Sequence, residues 1–162
     1  MVAITRILLV LFLAVNLVRC GDEEPQPTPP EPSDEEVAIE KLTGTSGNET
    51  WVLRNGGSVT KDGTNETDDY IDFEITFISS GSSKTYTTQG SNLLFDTNGN
   101  WSFAGGNFDK IELTGVQPAA NKEISFTQED NDLQLQWTVP APSNARVSAL
   151  AGSYVFALVR LE

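Results

Sequence analysis

From Tyr70 to Ile78 the chain alternates, with Ile71, Phe73, Ile75 and Phe77 apolar and Asp72, Glu74 and Thr76 polar. A two-residue period puts successive side chains on opposite faces of an extended backbone, so this stretch predicts a half-buried antiparallel strand with the four apolar residues inward. The same period recurs in Trp51 and Leu53, Trp101 and Phe103, Ile111 and Leu113, Ile124 and Phe126, and Leu133, Leu135, Trp137 and Val139. Lys84 to Thr88 is a weaker instance. The last stretch, Ser153 to Leu161, is apolar on both faces, which predicts a strand that is central or covered on both sides.

Turn chemistry separates these runs: Asn55-Gly56-Gly57, Asp62-Gly63, Ser80-Gly81-Ser82, Asn98-Gly99, Gly105-Gly106-Asn107 and Glu129-Asp130-Asn131. Pro140 to Asn144 interrupts the pattern, and Ala145 to Ala151 reads as a short helical turn before the last strand. Short connections without helical periodicity predict an all-β, antiparallel up-and-down meander of about eight strands, closed as a barrel or, alternatively, folded as a β-sandwich. Closure is favoured because an open sheet leaves unpaired edge amides.

One segment has helical character. Ser33-Asp34-Glu35-Glu36 before Val37-Ala38-Ile39-Glu40-Lys41-Leu42 has the form of a capping box, which predicts a helix of two turns. Its acids lie at the positive end of the helix dipole, Lys41 lies near the negative end, and Gly44 supplies the stop. Ile39 and Leu42 are expected to face the domain.

The N-terminal region is organised differently. Arg6 is followed by an apolar run, Ile7 to Val18, of about a dozen residues, too short for the roughly 20 that span a bilayer and suited to a cleaved leader. Leu17-Val18-Arg19-Cys20 resembles the lipobox of bacterial lipoproteins, in which the cysteine becomes the first mature residue and carries the lipid; Arg19 stands where that family has a small residue. The resemblance implies a signal peptide at 1–19 and lipidation of Cys20. Residues 20–33, with five prolines after Cys20 and no large apolar side chain, predict an extended acidic tether. Gly21-Asp22-Glu23-Glu24 is similar to the short acidic signals that direct Bacteroidetes lipoproteins to the cell's outer face, and reads equally as a solvating charge run. The domain proper is expected at 34–162.

Composition narrows the chemistry. Residues 1–19 carry two arginines and no acid; without them Lys and Arg fall from 10 to 8 against 23 acids, and the net charge moves from −13 to −15. Nucleic acid is therefore not expected as a partner. The chain has no histidine and one cysteine, so the folded domain has no imidazole base, no thiol nucleophile and no zinc-type ligand set. Catalysis, cofactor and metal are accordingly not expected. Asp62, Asn65, Glu66, Asp68, Asp69 and Asp72 are dense enough to suggest calcium but read as solvated acids around turns. Asp96-Thr97-Asn98-Gly99-Asn100 imitates the start of an EF-hand loop, yet Trp101 replaces the required glycine and Asn107 the closing glutamate.

Trp51, Phe73, Trp101, Phe103, Trp137 and Tyr154 all occupy inward alternation positions and are the candidate ligand-binding set. Rigid rings suit an apolar or amphipathic ligand, and rings also simply fill small barrels. Arg54, Arg146 and Arg160 read either as contacts for an anionic headgroup or as surface charge balance.

Lys41-Leu42-Thr43-Gly44-Thr45, Trp51-Val52-Leu53, Gly57 to Gly63, Phe73 to Phe77, Gly99-Asn100-Trp101-Ser102-Phe103 and Leu150 to Phe156, in that order, resemble the lipocalin-like small lipoproteins of Bacteroidetes. The resemblance implies a calycin-type barrel on a lipid anchor in the bacterial outer membrane, binding a small hydrophobic ligand without catalysis. The alternative of a different class is a structural or adhesive β-module that meets proteins or glycans through its loops.

Overall fold

The computed structural model describes residues 30–141 and 149–162. The leader 1–19, Cys20, the tether up to 29, Arg146 and most of the expected turn at Ala145 to Ala151 lie outside the described residues.

Within the unit Pro32–Glu162, the chain opens with helix α1 (Asp34–Thr43). Its capping box is complete: the Glu36 amide donates to Ser33 Oγ at 3.3 Å, and the Ser33 amide donates to Glu36 Oε2 at 2.7 Å. Gly44 ends the helix, its amide bonded to Glu40 O at 2.8 Å. Ala38 and Leu42 are buried, and Ile39 packs partly buried against the core.

Ten strands follow: β1 (Asn48–Val52), β2 (Ser58–Lys61), β3 (Thr64–Asn65), β4 (Glu74–Ser80), β5 (Ser83–Gln89), β6 (Asn98–Phe103), β7 (Lys110–Leu113), β8 (Ile124–Glu129), β9 (Asp132–Val139) and β10 (Gly152–Arg160). Eight of them close a ring in the order β1-β4-β5-β6-β7-β8-β9-β10, with β10 pairing back onto β1. Every pairing is antiparallel, so the fold is a closed up-and-down barrel rather than a sandwich. The β2–β3 hairpin is added beside it. β10 pairs with β9 along one side and shares its other side between β1, at Val159 and Arg160, and β2, from Tyr154 to Ala157. β10 is therefore central, as expected, but its faces differ: Tyr154, Phe156 and Leu158 are buried inside, and Val155, Ala157 and Val159 outside are only partly covered. β1 and β2 act as one broken strand; at the break the Leu53 amide donates to Phe73 O at 3.0 Å and the Gly57 amide donates back to Leu53 O at 2.9 Å.

Three sequence expectations need correction. The strand expected from Tyr70 starts only at Glu74, because Thr67–Tyr70 form a 3-10 turn. Tyr70 and Phe73 go inside, while Ile71 is turned out to solvent. Asn98-Gly99 is not a turn but the start of β6, opposite Thr87 and Tyr86. A glycine is required there by close approach, since a Cβ at Gly99 would lie 2.7 Å from the Tyr86 ring and 2.6 Å from Thr114 O. The β2–β3 hairpin, flagged by Asp62-Gly63 alone, was not expected as strand; its four-residue and two-residue strands are too short to show a period.

The two ends of the barrel differ. At one, β4–β5 and β8–β9 are joined by two-residue turns, Gly81-Ser82 and Asp130-Asn131, and α1 packs against β1 and β4. Trp51 Nε1 donates to Leu42 O at 2.9 Å, fixing the helix to β1. At the other end the connections 53–73, 90–97, 114–123 and 140–151 are long.

Candidate functional site

Of the six candidate rings, Trp51, Phe73, Trp101, Trp137 and Tyr154 are buried, and Phe103 is partly buried against the same core. They form two groups. Trp101 and Phe103 meet at 5.4 Å between ring centres and extend to Phe77 and Phe108. Phe73, Trp137 and Tyr154 gather around Phe156, at 5.0, 5.2 and 6.3 Å. Trp137 and Tyr154 are stacked, 14° from parallel. Trp51 stands apart, with the Arg160 guanidinium over its ring at 5.3 Å. Such pairs add about 0.5–1.5 kcal/mol each beyond area burial.

Two further rings, outside the expected set, complete the second group. Phe95 turns in from the 90–97 connection and contacts Phe73, Trp137 and Phe156 at 5.1 to 5.8 Å. Tyr70 comes in from the 3-10 turn, 5.1 Å from Phe156. With Leu94 and Ala119, also buried, they seal the loop end. The signal for this plug was present as Leu93-Leu94-Phe95, three apolar residues in a row between turn formers; it has no two-residue period, so alternation passed over it.

Inside this group one polar atom has no match: Trp137 Nε1 is buried and without a hydrogen-bond partner among the described residues. A buried unsatisfied N–H costs about 1–3 kcal/mol. Two phenols of the barrel are bonded, Tyr154 Oη of this group to Leu150 O at 3.0 Å and Tyr86 Oη to Thr114 O at 2.8 Å. Burial pushes the Tyr86 phenol up to about 12, and burial likewise raises Tyr70 and Tyr154. At each of the three tyrosines burial disfavours the charged phenolate.

Polar bonds stitch the loops over this plug. The Asp96 carboxylate accepts from the Val116 amide at 2.9 Å and from the Gln117 amide at 2.9 Å. The Ala119 amide donates to Leu94 O at 3.0 Å, and Asn92 Nδ2 donates to Asp69 O. Gly115, at φ 152°, lies so close to Asp96 that any Cβ would overlap its carboxylate. On the outer side of these loops stand three apolar residues: Ile71 at 49 % exposure, Leu93 at 70 % and Val116 at 90 %. Leu93 adopts φ 65°, a left-handed conformation that costs an ordinary L-residue about 1–2 kcal/mol.

One depression lies at the helix end of the barrel, beside the inward-facing Phe126. It measures about 560 Å³ between α1 and the β6–β7 and β8 rims, with Val37, Phe108 and Phe126 among polar neighbours. A second, of about 320 Å³, continues along α1 past Lys41 to Glu49 and Arg160. None of the six candidate rings lines either one. Arg54 pairs with Glu74 and Arg160 with Glu49. The acids of the 62–72 stretch do not converge: among the described residues no three His, Cys, Asp or Glu side chains are grouped to hold a metal ion. Asp62 Oδ1 instead accepts from the Ser153 amide at 2.9 Å. Among the described residues no helix is long and apolar enough to cross a membrane. No protein-family model, curated protein or solved structure matches the chain.

Proposed function

We propose that the chain is a non-catalytic β-barrel module whose interior is a scaffold and whose outer surface makes its contacts, held at the bacterial outer membrane by a lipid on Cys20 and the 20–33 tether. One observation carries this reading: the rings that alternation places inside pack on one another, and Phe95 fills the mouth they would offer to a ligand. A side chain already in van der Waals contact on several sides leaves a ligand nothing to gain by entering. The test is titration of the full chain with palmitic acid and with 1-naphthol, read by tryptophan emission and native mass spectrometry. Unchanged emission and no retained mass are expected; a saturable change with a bound mass overturns the scaffold reading. For the anchor, Cys20→Ala is expected to move the protein from the membrane fraction to the soluble fraction, and retention in the membrane rejects lipidation.

A second reading, capture of a small apolar or amphipathic molecule inside the barrel, is favoured by Trp137 Nε1, which has no partner among the described residues. On that reading a ligand bearing a hydrogen-bond acceptor displaces Phe95 and takes the indole N–H. The same titration separates the two: binding present in the natural chain and weakened in Trp137→Phe belongs to the second reading alone.

A further inference from the structure

The turn that seals the barrel does two opposite things with adjacent residues. Leu94 and Phe95 go in, and Leu93 is held out in water at φ 65°, beside Asn92 at φ 47°. Asparagine or glycine adopts this conformation readily, and an exposed site asks for neither the branching nor the apolar surface of leucine. Folding therefore gives no account of the leucine. Ile71 and Val116 are also exposed, on ordinary backbone, in the two neighbouring loops that Asn92 and Asp96 bond to the 90–97 connection. Three apolar tips thus stand on one hydrogen-bonded frame, which keeps low the entropy lost when a surface is captured.

Charge around the tips selects the partner. Asp68, Asp69 and Asp72 are exposed beside Ile71, and the whole chain carries a net −13. A second copy of the chain would bring the same acids face to face, and an anionic bilayer would meet them with like charge. We infer that the loop end is a docking face for a protein surface with an apolar cleft flanked by lysine or arginine, with Leu93 as its anchor. This deepens the proposed contact through the outer surface of the barrel and does not depend on whether the interior is filled.

The probe is a helical peptide made only of leucine and lysine, set against a leucine–glutamate peptide and phosphatidylcholine vesicles, with the full chain fluorescently labelled. The lysine peptide is expected to bind, less tightly as salt rises, and the glutamate peptide and vesicles are not. Leu93→Asn is expected to weaken peptide binding about tenfold while raising the thermal midpoint by about 3 °C through relief of the backbone. Val116→Ser is expected to weaken binding several-fold with the midpoint unchanged. Undiminished binding by both variants, equal binding of the glutamate peptide, or binding to vesicles in place of peptide overturns the docking face. A midpoint lowered by Leu93→Asn overturns the claim that leucine is there for contact. The 1-naphthol titration fails or succeeds independently: interior binding with Leu93-dependent peptide binding would sink the scaffold reading and leave the docking face standing.

Discussion

The helix end and the loop end of the barrel are closed by different means. At the helix end two of the connections are two-residue turns, the capping box of α1 is local in sequence, and bonds from Trp51 to Leu42 O and from Lys84 to Glu35 fix the helix to the wall. At the loop end closure is made by side chains from separate connections, Tyr70, Leu94, Phe95 and Ala119, held by bonds from Asn92 and Asp96 to backbone in other loops. Regular structure closes one end cheaply; irregular structure closes the other and leaves apolar residues over to face outward.

The sharpest way to break this contrast is to remove the seal at each end. Phe95→Ala is expected to cost about 4 kcal/mol and Leu42→Ala about 3 kcal/mol in urea denaturation, since each leaves a cavity in a packed core. If the loop end depends on its plug, only the first should also open the second aromatic group, seen as quenching of Trp137 emission by acrylamide. Next in size are the stitches. Asp96→Ala removes the acceptor of two amides, one of them open to water, and is expected to cost about 1 kcal/mol. Gly115→Ala is expected to destabilise similarly by forcing the same carboxylate away, and Asp96→Ala with Gly115→Ala should cost less than the two summed.

The same contrast explains what could be read from the sequence. Trp101, Ile111, Leu113, Ile124, Leu133, Leu135 and Trp137 are buried where alternation put them, because a barrel wall imposes a two-residue period on every strand long enough to show it. Ser33 and Glu36 announced α1 because a capping box is complete within four residues. Tyr70 and Ile71 could not be placed, since a 3-10 turn rotates them out of the strand period while leaving the letters unchanged. Phe95 and Asp96 act on residues far along the chain, and no local pattern encodes that. Of the candidate rings the sequence located the inward positions, but their mutual packing, which decides between scaffold and pocket, depends on distances no spacing contains.

Smaller effects refine the contrast. Ser33→Ala is expected to cost about 1 kcal/mol and to fray α1 by circular dichroism without touching Trp137. The two ends should also respond to opposite extremes of pH. The Ser33 backbone and hydroxyl hold the Glu36 carboxyl below its ordinary 4.5, so its contribution is present above 4.5 and is lost as pH falls through the lowered value. Glu36→Gln should flatten that acid limb. At the loop end, burial lifts Tyr86 from 10.0 to about 12, so its contribution is complete below pH 10 and is lost between 10 and 12 as the unfolded phenol ionises first. Tyr86→Phe should flatten the alkaline limb, read as the thermal midpoint against pH.

The pairing of β10 with β1 and β2 has a kinetic side. Trp51 meets Arg160 and Val59 meets Phe156 across nearly the whole length of the domain, which makes the contact order high and the closing step late. A chain emerging from a ribosome cannot complete its ring until β10 is free, so the wall stays open until that strand arrives. The aromatic cluster around Phe156 then forms in the same event, so that ring closure and core formation are ordered in time by the position of a single strand.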